Sequence, residues 1–413
     1  MAAGEAGRVA ERIARESYGR LVALLAVRTR DVAGAEDALG DAFTAALRTW
    51  PLEGVPDNPH AWLLTAARRR QTDAIRRRQT RTAAEEQLTL IVNEVQTMAD
   101  ERDAIPDRRL ALMFACAHPA IDRGIRTPLI LQTILGLTAE DIAAGFLLSP
   151  ATMGQRLSRA KTRIREAGIP FRVPEREEFP ERLAAVLDAI YAAYTKSWNE
   201  VGDGGTSELA DEATWLGRLT VSLLPDEPEA KGLLALMLYT TARRAARHDA
   251  DGTYVPLERQ DTNLWDRPLL EHAEQLLHQA NVAGPTGRYQ LEAGVQSAHV
   301  TRRLTGVSNW AAVVSLYDHL FALTGSPVVI LNRAVARAEL DGARAALADL
   351  ALLESDKRML SYQPYWAAKG HLLSAAGETA AAVEGLTVAI GLTTDEAVKE
   401  YLLGQVAALR SDG

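Results

Sequence analysis

Apolar residues recur along almost the whole chain at three- and four-residue intervals, and no convincing run alternates apolar with polar residues between turn signals. The fold class this predicts is all-α. The clearest pattern lies between Leu129 and Glu166. Gly136 ends one helix, and Thr138 with Asp141 has the spacing of a capping box that opens a short helix through Phe146. Ser149 then stands as N-cap, with Pro150 at the first helical position, where its fixed φ and missing N–H cost nothing. In the helix that follows, Met153, Leu157, Ala160 and Ile164 fall on one stripe, while Thr152, Gln155, Arg156, Arg159, Lys161 and Arg163 lie off it. This is the pattern of a helix-turn-helix whose second helix carries its positive charge on one side. Arg, Gln and Thr have donors and acceptors that match base edges and phosphate oxygens, so the segment is read as touching duplex DNA.

Two further segments carry chemistry. Over residues 31–48, Val32, Leu39, Phe43 and Leu47 are expected on one side of a helix, with Glu36, Asp37 and Asp41 projecting elsewhere. An acidic ridge repels phosphates and suits a protein partner. Two prolines, a glycine and Asn58 are expected to keep Pro51 to Asn58 out of regular structure. The helix opened by Asn58 and Pro59 carries Arg68, Arg69, Arg70, Arg76, Arg77, Arg78 and Arg81 against one acid, Asp73. That density of guanidinium groups is read as a phosphate-binding surface.

The three motifs together resemble bacterial extracytoplasmic-function sigma factors. AEDALGDAF is similar to the region 2.2 helix, which in that family docks on the clamp helices of the RNA polymerase β′ subunit, and this implies polymerase contacts for Glu36, Asp37 and Asp41. NPHAWLLTAARRRQTDAIRRR resembles region 2.4, which implies −10 element contacts for Asn58, Arg68, Arg69, Arg76 and Arg77. The loop before it resembles the one that captures a flipped non-template base. SPATMGQRLSRAKTRIR resembles region 4.2, which implies −35 contacts for Thr152, Gln155, Arg156, Ser158, Arg159, Lys161 and Arg163. Two positions depart from the family pattern. Gly40 stands where Gln is usual, and Gly154 occupies a groove-facing position that is often larger.

Downstream, MFACAHPAI, GIPFRVP, LLPDEPEAKGLLALMLYTTARRAARHDADG, ERQDTNLWD and SPVVILNRAVARAE resemble a subfamily with a long helical C-terminal extension. Ala334 and Ala368 lie 34 residues apart and the turn glycines Gly342 and Gly377 lie 35 apart, matching a tetratricopeptide period. Gly325-Ser326-Pro327 marks a stop and restart between helices. Trp198, Trp265, Trp310 and Trp366 read as core residues of this part.

The expected organisation is sigma region 2 over residues 1–82, a linker over 83–107, sigma region 4 over 108–172 and a tetratricopeptide-like regulatory domain over 176–413. Residues 1–170 hold 24 Lys or Arg against 21 Asp or Glu, a net of +3, which leaves −11 of the total −8 for the remainder. A mildly basic front half fits nucleic acid, and an acidic back half fits a different task. The single cysteine, Cys116, excludes an internal disulfide and a cysteine-cluster metal site. Asp249-Ala-Asp251-Gly252 has its glycine two residues too early for a calcium loop and reads as a turn. No HExxH, GxSxG or Gly-rich phosphate loop is present, so neither enzyme nor cofactor is expected. The expected partners are core RNA polymerase, through the β′ clamp and β flap, and promoter DNA, together with an intramolecular contact of the extension on the sigma domains. No membrane association is expected, and the location is cytoplasmic. The competing reading is a stand-alone helix-turn-helix regulator with a peptide- or protein-sensing repeat domain.

Overall fold

The computed structural model describes residues 2–79, 108–146, 148–199, 207–249 and 252–411. The protein is all-α. Among the described residues there is no strand, and the sole β pairing is an isolated bridge between His248 and Tyr254. No described helix is long and apolar enough to cross a membrane. The expected linker, residues 83–107, lies outside the described residues.

The chain forms two compact units. The first comprises residues 1–193 with 208–216. Its helices are α1 (Ala2–Thr29), α2 (Val32–Glu53), α3 (Pro59–Gln79), α4 (Arg109–Cys116), α5 (Arg123–Leu135), α6 (Ala139–Gly145) and α7 (Pro150–Glu166). It also holds most of α8 (Phe179–Asn199) and the front of α9 (Ser207–Leu223). Residues expected as separate region 2 and region 4 domains therefore pack in one body. The seam is tight because it is built on small residues. A Cβ at Gly19 of α1 would collide with the backbone carbonyl of Ile134 in α5, and Gly136 approaches the ring of Tyr18 closely enough that a Cβ there would sit 3.5 Å from Cδ1.

Helix α2 corrects one expectation. Its buried face is Val32, Ala35, Ala38, Leu39, Ala42, Ala46 and Trp50, whereas Leu47 is 53% exposed. Alanines, invisible to a pattern search for large residues, let α1 and α3 lie close on α2. The helix also runs three residues past its expected end. Pro51 sits in its last turn, and Gly54 closes it at φ 92° with its N–H on the Trp50 carbonyl at 3.0 Å.

The first compact unit continues past residue 176, into α8. Phe179 stacks on Phe114 of α4 with ring centroids 5.8 Å apart, and Arg126 of α5 donates to the Glu181 carbonyl at 3.1 Å. Arg109 of α4 pairs with Glu212 of α9 and lies 4.0 Å over the Trp215 ring. These contacts explain why all eight residues of α4 are buried.

The second unit comprises residues 194–207 and 217–413. After α9 come α10 (Pro228–Ala242), α11 (Arg267–Ala283), α12 (Arg288–Thr305), α13 (Trp310–Thr324) and α14 (Pro327–Asp341). They are followed by α15 (Ala343–Ala351), α16 (Lys357–Leu360), α17 (Gln363–Ala375), α18 (Thr379–Leu392) and α19 (Glu396–Ser411). Consecutive helices pack as neighbours, and short turns with left-handed or otherwise positive-φ glycines at 306, 325, 342 and 377 separate several of them. Helix α10 is buried on nearly all sides by α11 and α12. Asp349 of α15 joins two arginines of α14, Arg333 at 3.2 Å and Arg337 at 3.0 Å. Trp265 is buried, while Trp310 and Trp366 are half-buried at cluster edges.

Candidate nucleic-acid interface

The helix-turn-helix is built by local chemistry. Gly136 adopts a left-handed conformation at φ 66° and closes α5 through the Gln132 carbonyl. Thr138 and Asp141 exchange both bonds of a capping box: the Asp141 N–H donates to Thr138 Oγ1 at 3.1 Å and the Thr138 N–H to Asp141 Oδ2 at 3.1 Å. Ser149 Oγ accepts from the Thr152 N–H at 3.3 Å and opens α7, with Pro150 in its first turn. Met153, Leu157, Ala160 and Ile164 are buried as the stripe requires.

Facing away from that core, Gln155, Arg156, Ser158, Arg159 and Arg163 are exposed and Thr152 is half-buried. Three guanidinium groups and an amide on one side of a helix present forked donors that can meet phosphate oxygens or the N7 and O6 of guanine. An open cavity beside this face, bounded by Asp122, Ile125 and the side chains of Arg156, Arg159 and Arg163, leaves their heads accessible. Gly154 does not face outward: its missing Cβ points to Ala139, 4.0 Å away, so the small residue serves the crossing of α6 and α7.

On the region 2 side, Asn58 caps α3 by accepting the Ala61 N–H at 3.0 Å. Trp50 and Trp62 meet edge to face at 5.5 Å on either side of the loop that joins α2 to α3, which fixes where that loop emerges. Arg69 and Arg70 are exposed and Arg68 is half-buried. The side chains of Arg76, Arg77 and Arg78, and the whole of Arg81, lie outside the described positions. Asp37 and Asp41 are exposed on α2, and Asp41 reaches Arg70 at 3.5 Å in a solvated pair worth little to stability.

Glu36 and Lys161 behave differently from their neighbours. Lys161 Nζ meets Glu36 Oε2 at 2.5 Å, with side-chain exposures of only 11% and 14%. Neither projects into solvent as the outward-facing reading expected. Arg165 approaches Asp31 at 3.5 Å alongside. Burial raises the Glu36 carboxyl above its usual range, and the Lys161 charge pulls the other way. Tyr18, next to the same carboxylates, is likewise raised, first by burial and then by Glu36 and Asp37. Helices α2 and α7 are thus joined across a charged seam. Tyr18, Asp31 and Arg165 belong to it and were not among the expected site residues.

An acidic ridge and an Arg-rich helix packed beside a capped helix-turn-helix are the features of a transcription factor of the sigma class. Residues 13–81 match the Sigma-70 region 2 family, which makes the chain a sigma-70 family factor with a role in transcription initiation and core RNA polymerase as its partner. It shares 36% identity over 384 residues, 92% of this chain and 90% of the other, with an uncharacterized protein of Rhizobium meliloti (strain 1021), and belongs to the same family as that protein. Residues 182–281 match DUF6596, a family of unknown function. No solved structure matches the chain.

Proposed function

We propose that the chain is an extracytoplasmic-function sigma factor with a tetratricopeptide-like regulatory extension. In this reading Asp37 and Asp41 meet basic residues of the β′ clamp, and Asn58 with Arg68, Arg69, Arg76 and Arg77 engages the −10 element. The face of α7 carrying Thr152, Gln155, Arg156, Ser158, Arg159 and Arg163 reads the −35 element in the major groove. Glu36 and Lys161 join their respective surfaces only when the ion pair between them is exchanged for contacts with polymerase and DNA.

The observation that carries the reading is the capped helix α7, which turns its apolar stripe fully inward and its arginines outward. The repeat character of the extension is supported by the helix pairs α14–α15 and α17–α18, each preceded or divided by a turn glycine of positive φ, at Gly342 (89°) and Gly377 (83°). Solenoids of this kind bind proteins through shape.

The test is reconstitution. Mixed with core polymerase, the purified chain should co-elute with it and start transcripts at a selected promoter. Sequence-specific DNA binding without any association with core would overturn the reading in favour of a stand-alone regulator.

A further inference from the structure

Inside the acidic extension one patch is cationic. It lies where the end of α10 packs on α12, and it gathers Arg243, Arg302 and Arg303 around the buried Trp265. Arg302 donates to the carbonyls of Leu257, Glu258 and Gln260, and Arg303 to the Trp265 carbonyl at 2.9 Å, so both are occupied in holding the 257–265 loop. Arg247 has the carboxylate of Asp395 acting on it. Arg243 differs. Its Nε donates to the Tyr239 carbonyl at 3.4 Å and its Nη2 to Gln296 Oε1 at 2.5 Å, and both acceptors are neutral. Among the described residues no carboxylate lies within ion-pair distance of it. Burial is the main influence on this guanidinium, whose pKa falls to about 10, and the exposed Glu258 has the least effect. Withdrawing a cation from water without an opposite charge is costly, and charges held in that state cluster at functional sites.

The groups beside Arg243 are donors as well. Because Gln296 Oε1 accepts from Arg243, the amide is fixed with Nε2 as a second donor. His299 follows one turn later on α12, its ring edge to face with Trp310 at 5.4 Å. Burial, then Arg243 and Arg302, lower its pKa to about 4, so at pH 7 the imidazole is neutral and has one N–H to give. Arg243, Gln296 and His299 are each half-buried. Arg243 Nη1, Gln296 Nε2 and the ring nitrogens of His299 have no hydrogen-bond partner among the described residues, yet none of these atoms is sealed from water. A ligand in solution can therefore reach each of them. Trp310, half-buried at the edge of its cluster, offers apolar surface alongside.

One unanswered cation and two neutral donors match a single negative charge spread over two oxygens. A phosphate dianion would bring a second charge, which the occupied arginines do not meet. We propose that Arg243, Gln296 and His299 form a site for a small molecule carrying one carboxylate on an aromatic body, the carboxylate accepting from these three groups and the body lying along Trp310. Such a site makes the extension responsive to a dissolved compound, independently of contacts with polymerase and DNA.

The probe is 1-naphthoate, titrated into the full-length protein by isothermal calorimetry. Saturable one-to-one binding is expected. The neutral counterpart 1-naphthamide should bind at least about tenfold more weakly, and so should 1-naphthoate to Arg243→Met, because each removes one side of a charge-assisted hydrogen bond. His299→Phe keeps a ring against Trp310 and should weaken binding about threefold or more through loss of the N–H. Circular dichroism shows which variants are folded, and with two of them one that unfolds does not decide the outcome. Inorganic phosphate should displace 1-naphthoate less well than benzoate does. Absence of saturable binding, equal affinity for the acid and the amide, unchanged affinity in the folded variants, or stronger displacement by phosphate than by benzoate would each overturn the proposal.

Discussion

Glu36 of α2 and Lys161 of α7, 125 residues apart, hold each other at 2.5 Å in a nearly dry seam, with Glu36 Oε1 left without a partner. Burying both charges costs more than their attraction returns at the carboxylate, whose pKa is raised mainly by desolvation. The two ends of the pair should therefore respond differently to mutation. Glu36→Gln should leave stability unchanged or improve it at pH 7. Lys161→Met should destabilise the unit, by at most about 3–5 kcal/mol, because it strands a carboxylate. The pH dependence follows from the direction of the shift. A carboxyl raised above its unfolded value of 4.5 holds its proton more tightly when folded, so its contribution to stability falls as pH rises through that window. In urea unfolding, the advantage of Glu36→Gln over the parent should be larger at pH 7 than at pH 4.5. An advantage that grows toward acid pH would contradict the assignment.

Arg109 and Glu212 make the front of the extension part of the sigma body. A chain ending at Pro174 loses Phe179, Glu212 and Trp215, exposes Phe114 and strands a buried guanidinium. Circular dichroism melting should show a cooperative transition for residues 1–223 and a broadened or much lower one for residues 1–174. Equal melting of the two would mean that these contacts contribute nothing.

Asp37 and Asp41 are the exposed acids of α2. Replacing both with Lys should weaken binding to core polymerase at least about tenfold through charge repulsion at the contact. Helix content should stay unchanged. Fluorescence anisotropy of labelled protein titrated with core enzyme measures the effect.

Arg159 and Arg163 are both exposed on α7, one turn apart. If Arg159 meets a base edge, Arg159→Ala should cost about 1–3 kcal/mol on the preferred −35 sequence and little on a scrambled one. A phosphate contact would instead weaken both equally and flatten the salt dependence. Titrations of promoter variants in polymerase-bound form, at two salt concentrations, distinguish the two roles.

Gly40 and Gly370 make opposite predictions from the same residue type. Nothing lies within 4 Å of a Cβ at Gly40 on α2, so Gly40→Ala should stabilise by up to about 1 kcal/mol through helix propensity. A Cβ at Gly370 would stand 2.7 Å from Leu386 Cγ where α17 crosses α18, and Gly370→Ala should destabilise by about 1–3 kcal/mol through overpacking. Thermal melts of both variants check the signs.

What was legible in the chain follows the range of the forces involved. The caps at Asn58, Thr138 and Ser149 and the left-handed Gly136 depend on partners within four residues, and each was readable in order. The stripe of α7 followed from its period. The charged seam was only half visible. Lys161 stands four residues after Leu157 and three before Ile164, and Glu36 four after Val32 and three before Leu39, so both lie at the border of a buried face. Their spacing warned of partial burial, but which charge would answer across 125 residues is tertiary information. The cap of α12 shows the same limit. It is a carboxylate some sixty residues upstream, and Gly287 leaves room for it because any side chain there would strike Glu229. That the first unit runs on into α8 was hidden for a related reason. A proline-rich stretch signals a change of direction, whereas which body the next helix joins depends on Phe114 and Arg126 finding it.

Cys116 sits at the end of α4 against Thr133, fully buried, with its thiol pushed up to about 12 by desolvation. As the chain's single cysteine, it is closed to thiol reagents in this conformation, and labelling should require excursions that expose it. The molecule therefore carries its own clock for opening of the helix-turn-helix core. The labelling rate of one native atom counts those excursions, and its acceleration or arrest on adding core polymerase or DNA would show which of them loosens the core and which holds it shut.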